Sequence, residues 1–216
     1  IRRQRQMCIR DSIELLPESA ARDYLEFMRE LSIACRTEEL FLSVDCYVPY
    51  SYNAYYNIKE LGEICDYVVI MCYDEHYAGS EEAGSVSSLS YVERGIDESA
   101  AKMDKNRVII ALPFYTRVWI TDANGKLRSE ALSITKAKEW ITEKNVPLEW
   151  KEDIGQYYGV IQDGNEKKEI WMEDEKSMEA KMSLLREKGI QAVAAWKLGQ
   201  EPQGFWSILN LEEKTS

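Results

Sequence analysis

The stretch YVVIMCYDEHY, residues 67–77, opens with a β-branched apolar run and closes with polar and aromatic side chains. An apolar run of this length without alternation is typical of a strand that is buried on both faces of a parallel sheet. Similar runs are LFLSVDCYVP at 40–49, RVIIALPFYTRVW at 107–119 and GIQAVAAWKLGQE at 189–201. The sequence therefore predicts four buried strands.

Helical patterns lie between these runs. Apolar residues recur at three- and four-residue spacing between residues 18 and 36, which indicates an amphipathic helix. The members of this stripe are Tyr24, Phe27, Met28, Leu31 and Cys35. Further helices are predicted at 90–103, 173–188 and 205–211. Because strands and helices alternate, the chain is predicted to be α/β, with a parallel sheet and crossover helices.

Residues 120–173 interrupt this alternation. They contain a helical pattern at 135–144 and two aromatic segments that flank the dipeptide Asp163-Gly164. A dipeptide of this type between two strand-like segments is a hairpin signal. We therefore predict an inserted α+β subdomain at 120–173, between the segments 13–119 and 174–216 that carry the four strands.

The first twelve residues, IRRQRQMCIRDS, differ from the rest of the chain. They are basic and have neither helical nor strand periodicity. We interpret residues 1–12 as a foreign or disordered segment, which is expected to pack on nothing.

Charge and composition exclude several kinds of partner and site. The net charge is −11 and the sequence pI is about 4.8, so no nucleic-acid partner is predicted. No apolar run is long enough to span a bilayer, and no membrane partner is predicted. The single histidine, His76, and five cysteines without a CxxC pair argue against a metal site. The sequence predicts no metal and no cofactor, so carboxylates would have to carry any acid–base chemistry.

Aromatic and ionisable side chains follow the predicted strands at their carboxyl ends, which is where parallel α/β folds bind ligands. Such a combination suits sugars, because ring faces stack on apolar sugar faces while carboxylates and arginine hydrogen-bond hydroxyl and acetamido groups. The candidate binding residues are Asp45, Tyr47, Tyr73, Asp74, Tyr115, Arg117 and Trp196.

Three segments resemble glycoside hydrolase family 18. They are MCYD at 71–74 with the following EHYAGSEEAGS, ALPFYTRVW at 111–119 and AVAAWKLG at 192–199. The resemblance extends over residues 13–211 and is greatest to the bacterial spore-germination, cortex-lytic N-acetylglucosaminidases, which often carry LysM modules.

This resemblance implies a (β/α)8 TIM barrel with a small α+β insertion after the seventh strand. The four predicted strands would be strands five to eight, so the chain is expected to form an incomplete barrel. Residues 13–119 and 174–216 would then be the C-terminal part of the catalytic barrel.

The resemblance also implies a catalytic residue, Glu14. The family signature D-x-x-D-x-D-x-E ends in the general acid, and Glu14 falls on that position before a Pro-containing link and a helix. The three aspartate positions are occupied by Met7, Arg10 and Ser12. This chain is therefore expected to be inactive on its own, as a C-terminal fragment of an active parent protein.

The implied activity is retaining hydrolysis of β-1,4 bonds at N-acetylglucosamine, with the acetamido oxygen of the substrate as nucleophile. Tyr73 would hydrogen-bond the acetamido group, with Asp74 beside it, and Trp196 would form the floor of the sugar site. Tyr115 and Arg117 would line the cleft, whereas Asp45 and Tyr47 are candidates from strand position alone. The polysaccharide would be spore-cortex peptidoglycan or chitin, and the location extracellular, in the cell wall or spore-associated.

Two other functions remain open. One is a non-catalytic, chitinase-like carbohydrate-binding protein, which would lose catalytic residues but keep strands one to four of the barrel. Because those strands are not expected in this chain, the hydrolase is preferred for the parent protein. The other is a different parallel α/β enzyme, such as a polysaccharide deacetylase or a phosphatase. A single histidine argues against a deacetylase with metal ligands. The sequence leaves endo or exo action and the oligomeric state open.

Overall fold

The structure of the protein is a computed structural model that describes residues 9–11, 16–202 and 204–209. The described residues form ten strands and five α-helices. The strands are β1 (Ile9–Asp11), β2 (Leu42–Tyr47), β3 (Tyr67–Met71), β4 (Val108–Pro113), β5 (Tyr115–Thr121), β6 (Leu127–Ser133), β7 (Leu148–Lys151), β8 (Gln156–Asp163), β9 (Glu166–Met172) and β10 (Val193–Trp196). The helices are α1 (Ala21–Thr37), α2 (Ile58–Ile64), α3 (Leu89–Ala100), α4 (Ile134–Lys144) and α5 (Glu175–Lys188).

Five strands form a parallel sheet in the order β1-β2-β3-β4-β10. All four predicted strand segments contribute to it, which confirms the predicted α/β fold with a parallel sheet. Because every strand runs in the same direction, the carboxyl ends of β2, β3, β4 and β10 lie along one edge of the sheet.

The core lies between this sheet and its helices. Val44, Ile70 and Ile110 from neighbouring strands are fully buried, and they belong to one cluster with Met28 of α1 and Met182 of α5. Burying an aliphatic side chain of this size stabilises the fold by about 1.5–3 kcal/mol. In the described part of the chain, none of the helices is long and apolar enough to cross a membrane.

The buried stripe of α1 differs from the predicted one at Phe27. Its buried members are Tyr24, Met28, Ser32 and Cys35, while Phe27 is 48% exposed. At 100° per residue, Phe27 lies about a quarter turn from the centre of that stripe. Phe27 is therefore an exposed aromatic residue at the edge of the buried face of α1, and not part of the core.

The second sheet is antiparallel and has the order β6-β5-β9-β8-β7, with α4 between β6 and β7. The predicted helix is present as α4, and the predicted hairpin joins β8 to β9 with Asp163 paired to Glu166. The sheet starts at Tyr115, five residues before the predicted boundary at 120.

The prediction of one strand at 107–119 is wrong, because β4 and β5 belong to different sheets. The break falls at Pro113 and Phe114. Proline has no amide hydrogen for a ladder bond in the middle of a sheet. The Phe114 amide instead donates to the Trp196 carbonyl at 2.7 Å, and its ring is fully buried against Phe205, with ring centroids 5.4 Å apart.

The expectation that residues 1–12 pack on nothing is wrong for residues 9–11. These form β1, which pairs in parallel with β2 through Ile9 with Leu42, Arg10 with Ser43 and Asp11 with Val44. The parallel sheet therefore has a fifth strand that the sequence pattern did not reveal. Residues 1–8 and 12 lie outside the described residues.

Candidate active site

Three aromatic side chains meet where β3, β4 and β10 end. Tyr73 follows β3, Trp196 is the last residue of β10, and Tyr115 begins β5 just after β4. The rings of Tyr73 and Trp196 stack, with centroids 6.5 Å apart and an interplanar angle of 26°. Tyr115 meets Tyr73 edge-on at 6.4 Å and 70°. Trp196 is 41% exposed, so these rings form a surface that solvent reaches.

Asp74 places its carboxylate beside this aromatic surface. The Tyr115 hydroxyl donates a hydrogen bond to Asp74 Oδ1 at 2.5 Å, and Arg117 Nη2 lies 3.7 Å from the same oxygen. The backbone of Asp74 is in the left-handed region, with φ at 55°. A non-glycine residue there costs free energy, and such positions concentrate at functional sites.

The residues that hold Asp74 are more buried than Asp74 itself. Its side chain is 46% exposed, whereas that of Arg117 is 13% exposed. Burial, and then the neighbouring Asp74 carboxylate, raise the pKa of Tyr115, so its hydroxyl stays protonated and can donate at any physiological pH. Asp74 is thus a carboxylate fixed from one side and open to solvent on the other.

The structure brings five of the predicted residues into this one cluster, which has carboxylate, guanidinium and aromatic groups within contact of one another. They are Tyr73, Asp74, Tyr115, Arg117 and Trp196. An arrangement of this kind can stack on a sugar ring and hydrogen-bond its polar substituents.

Asp45 and Tyr47 both belong to β2, which pairs with β3. Asp45 is 5% exposed and pairs in register with Val69, four residues before Tyr73. At 3.3 Å per residue, that register puts Asp45 about 13 Å deeper along the strand direction than Tyr73. Tyr47 contacts Tyr56 edge-on at a ring distance of 6.0 Å. Asp45 therefore lies deeper in the sheet than Tyr73, and the binding role of both residues stays a prediction.

The predicted catalytic Glu14 lies outside the described residues, as do Met7 and Ser12. Arg10, at the second aspartate position of the family signature, is the central residue of β1. Glu14 follows β1 by three residues along the chain.

Over residues 9–11, 16–202 and 204–209, no group of three or more His, Cys, Asp or Glu side chains is arranged to hold a metal ion. The polar groups of the described site are the Asp74 carboxylate, the Arg117 guanidinium, the hydroxyls of Tyr73 and Tyr115 and the indole N–H of Trp196. Their chemistry is that of binding and orienting a neutral polar ligand.

Sequence reasoning missed a buried polar cluster behind the site. Glu173 and Lys181 form an ion pair, and both side chains are fully buried. A signal exists in the sequence, since Ser177 and Lys181 lie four residues apart on the face of α5 that also buries Met178 and Met182. A lysine on an otherwise apolar helix face indicates a buried charge partner.

Comparison with known proteins shows which proteins this chain resembles in sequence and fold. A curated relative, the sporulation-specific glycosylase YdhD of Bacillus subtilis, is 30% identical over 144 residues, or 66% of this chain and 34% of YdhD. A chitinase from Chromobacterium violaceum has the same fold, with a TM-score of 0.85 at 19% identity over 93% of this chain and 64% of that one. The spore cortex-lytic enzyme SleL of Bacillus cereus gives a TM-score of 0.83 at 22% identity over 93% and 48% of the two chains.

The chain spans 34–44% of the length of the first three curated relatives that it matches. Residues 9–201 match the family described as Glycosyl hydrolases family 18, which includes β1 and all the residues of the cluster around Asp74. The resemblance inferred from the three sequence segments is confirmed, and the chain belongs to glycosyl hydrolase family 18.

Proposed function

We propose that this chain carries the sugar-binding side of a retaining glycoside hydrolase that cleaves β-1,4 bonds at N-acetylglucosamine. The polysaccharide would be spore-cortex peptidoglycan or chitin. The observation that carries the proposal is the convergence of Tyr73, Asp74, Tyr115 and Trp196 at the carboxyl edge of the parallel sheet.

The chemistry of the cluster supports an acetylated amino sugar as ligand. The exposed indole of Trp196 offers a flat apolar floor on which the C–H face of a pyranose ring can stack. The ring of Tyr73 lies 6.5 Å from that of Trp196. Its hydroxyl would hydrogen-bond the acetamido group, with Asp74 beside it. Tyr115 and Arg117 would line the cleft and keep Asp74 in place.

The proposed reaction is substrate-assisted. The acetamido oxygen attacks the anomeric carbon and forms an oxazolinium ion, while Glu14 protonates the leaving glycosidic oxygen; water then opens the ring with retention. Intramolecular attack is favoured because both reacting atoms belong to one held sugar. Proton transfer by a positioned carboxylic acid contributes about a hundred- to ten-thousand-fold to such a rate.

We further infer that the five parallel strands are strands four to eight of an eight-stranded barrel. Two facts support this: the fold shared with chitinases, and the order β1-β2-β3-β4-β10 in which neighbours along the chain are neighbours in the sheet, apart from the insertion. In the described residues β1 and β10 are the sheet edges, and closing a barrel removes such edges.

We propose that the 216-residue chain alone does not turn over substrate. Ser12 stands where the mechanism needs an aspartate to hold the acetamido group and stabilise the oxazolinium ion. The same observation favours the second candidate, a chitinase-like protein that binds N-acetylglucosamine polymers without cleaving them. In either case the site of action would be extracellular, in the cell wall or on the spore, as the names of the relatives suggest.

Two measurements test the proposal. In the first, isothermal titration calorimetry measures binding of an N-acetylglucosamine tetramer to the purified chain and to Trp196→Ala and Asp74→Ala. Tyr67→Ala is the matched control, because Tyr67 is also exposed but begins β3 at the opposite edge of the sheet. Binding should weaken in the first two variants only, and equal weakening in all three would place the sugar somewhere else.

The second measurement separates an enzyme from a binding protein. Release of N-acetylglucosamine from chitooligosaccharide or cortex fragments is followed for this chain, for Ser12→Asp, and for Ser12→Asp combined with Glu14→Gln. The natural chain should release nothing. Turnover by the natural chain would refute the proposed inactivity. Turnover that survives Glu14→Gln would refute the assignment of the acid.

A further inference from the structure

Behind the Asp74 cluster lies a polar cluster that consists of Gln156, Glu173, Ser177 and Lys181. All four side chains are fully buried. Glu173 accepts three bonds there: Lys181 Nζ and Gln156 Nε2 both donate to its Oε1, and Ser177 Oγ donates to its Oε2 at 2.8 Å. Both lone-pair-bearing oxygens of the carboxylate are thus occupied inside the protein.

This cluster connects to the segment that follows Asp74. Gln156 Oε1 accepts a hydrogen bond from Ser85 Oγ at 2.5 Å. The Ser85 carbonyl in turn accepts from the His76 amide at 3.2 Å, and the Val86 carbonyl accepts from the Glu75 amide at 3.0 Å. The bonded chain therefore runs from Lys181 through Glu173, Gln156 and Ser85 to His76, two residues after Asp74. Val86, which follows Ser85, bonds to Glu75, the residue next to Asp74.

The orientation of Gln156 depends on the charge of Glu173. Because the carboxylate can only accept, it fixes the Gln156 amide with Nε2 toward Glu173 and Oε1 toward Ser85. A buried ion pair is a weak source of stability, because desolvation offsets the attraction between the charges. A buried ion pair is better explained as a device that keeps the surrounding polar side chains in one hydrogen-bonding arrangement.

We propose that Glu173 and Lys181 are positioning residues for Asp74, which act through Gln156 and Ser85 on the backbone of residues 75 and 76. The insertion thereby sets the backbone that holds Asp74 at its left-handed φ, in addition to the side-chain contacts from Tyr115 and Arg117. The consequence for sugar affinity rests on the proposed function, whereas the coupling itself does not.

The charge of Glu173 depends on its neighbours, and so does the effect of removing its partner Lys181. Burial raises the pKa of Glu173, while Lys181 and Ser177 lower it and Asp174 adds to the increase. The buried Cys72 thiol at the end of β3 also interacts electrostatically with Lys181. Without Lys181, Glu173 is neutral in acid and becomes an unpaired buried charge as the pH rises. Without Glu173, the buried Lys181 side chain loses its carboxylate partner.

The test uses Lys181→Met, Glu173→Gln and the neutral double variant Glu173→Gln/Lys181→Met. Lys188→Met is the control, since Lys188 lies on the same helix but pairs with Glu93 and Asp97 at the surface. Affinity for the N-acetylglucosamine tetramer is measured by calorimetry at pH 5 and pH 8. Hydrogen exchange of the amides at 75–88 is measured in parallel, and near-UV circular dichroism confirms that each variant is folded.

Relative to the natural chain, Lys181→Met should lose affinity by about tenfold or more between pH 5 and pH 8, a size that one unpaired buried charge readily reaches. Glu173→Gln should also lose affinity, because it removes the buried partner of Lys181. The double variant and Lys188→Met should keep the natural pH profile, and exchange at 75–88 should follow the same pattern.

Folded single variants that keep the natural pH profile and natural exchange at 75–88 would overturn the proposal, even if both melt at lower temperature. If the natural chain does not bind the tetramer, the proposed function fails, and the exchange data alone decide the coupling. If Lys181→Met does not fold, Glu173→Gln and the double variant still test the coupling, because only the single variant leaves one partner of the buried pair alone.

Discussion

Replacing Tyr115 with phenylalanine removes one hydroxyl group and leaves the rest of the aromatic cluster in place. The hydroxyl donates to Asp74 Oδ1 at 2.5 Å, while the ring contacts Tyr73 at 6.4 Å and is 7% exposed. Phenylalanine keeps that ring contact and the packing. The change therefore isolates the hydrogen bond.

The magnitude follows from the exposure of Asp74. A hydrogen bond to a charged acceptor contributes about 1.5–3 kcal/mol. Because the side chain of Asp74 is 46% exposed and Arg117 Nη2 remains 3.7 Å away, water and Arg117 offset part of the loss. We expect the lower end, about 1.5 kcal/mol, which corresponds to roughly tenfold in affinity. For a chain of this size the melting temperature should fall by roughly 3–6 °C.

The assay is a double-mutant cycle with Tyr115→Phe, Asp74→Ala and the double variant. Thermal unfolding and tetramer binding are both measured for the four proteins. If the two side chains act together, the second substitution should cost little once the first is present, with a coupling free energy of about 1–1.5 kcal/mol. Strictly additive losses would show that the hydroxyl does not hold Asp74, and would refute the role given to Tyr115.

Three further predictions concern single positions. Trp196→Ala should weaken tetramer binding by about tenfold or more and change the melting temperature little, because the indole is 41% exposed. Calorimetry measures the binding and a thermal melt measures the stability. A loss of stability as large as the loss of binding free energy would contradict the prediction. Phe114→Ala should destabilise the protein by about 3–5 kcal/mol in urea unfolding, because the fully buried ring packs on Phe205, whereas Phe27→Ala at an exposed position should cost far less. Lys168 and Lys144 hold the pKa of Asp163 below its usual range. The ion pair therefore contributes to the stability of the fold at a pH above the usual pKa of an aspartate, and this contribution is lost as the pH falls through the lowered pKa. Lys168→Met should move that pKa upward in an NMR titration, Lys126→Met should not, and identical titrations would exclude the ion pair.

The elements that sequence reasoning located well carry their own local signals. The buried strand β3 is an uninterrupted β-branched run, and α5 begins and ends at residues suited to those places. Asp174 accepts from the Ser177 amide at 2.9 Å as an N-cap, and Gly189 ends the helix with φ at 71°.

The misplaced boundary at β4 and β5 has a different cause. The run at 107–119 is apolar throughout, so hydrophobicity alone cannot separate two strands that belong to two sheets. Pro113 was the readable signal. The short strand β1 had no such signal, because three residues are too few for a periodic pattern and its pairing with β2 is a tertiary contact.

The candidate site was predictable to the extent that it follows strand order. Parallel strands bring their carboxyl ends to one edge, which is enough to place Tyr73, Asp74, Tyr115 and Trp196 together. The depth of Asp45 in its strand depends on the exact end of β2, which sequence patterns do not give. The contacts between Gln156, Glu173 and Ser85 join residues that are far apart in the sequence, and only the folded chain brings them together.

The start of the second sheet at Tyr115 has a consequence for chimeras built from related proteins. The strand that opens this sheet supplies both side chains that hold Asp74, so exchanging the sheet for that of a homologue also exchanges part of the proposed sugar cleft. A crossover placed after Thr121 would replace the rest of the second sheet and keep the contacts of Tyr115 and Arg117 with Asp74. A crossover placed at Phe114 would replace those contacts together with the sheet.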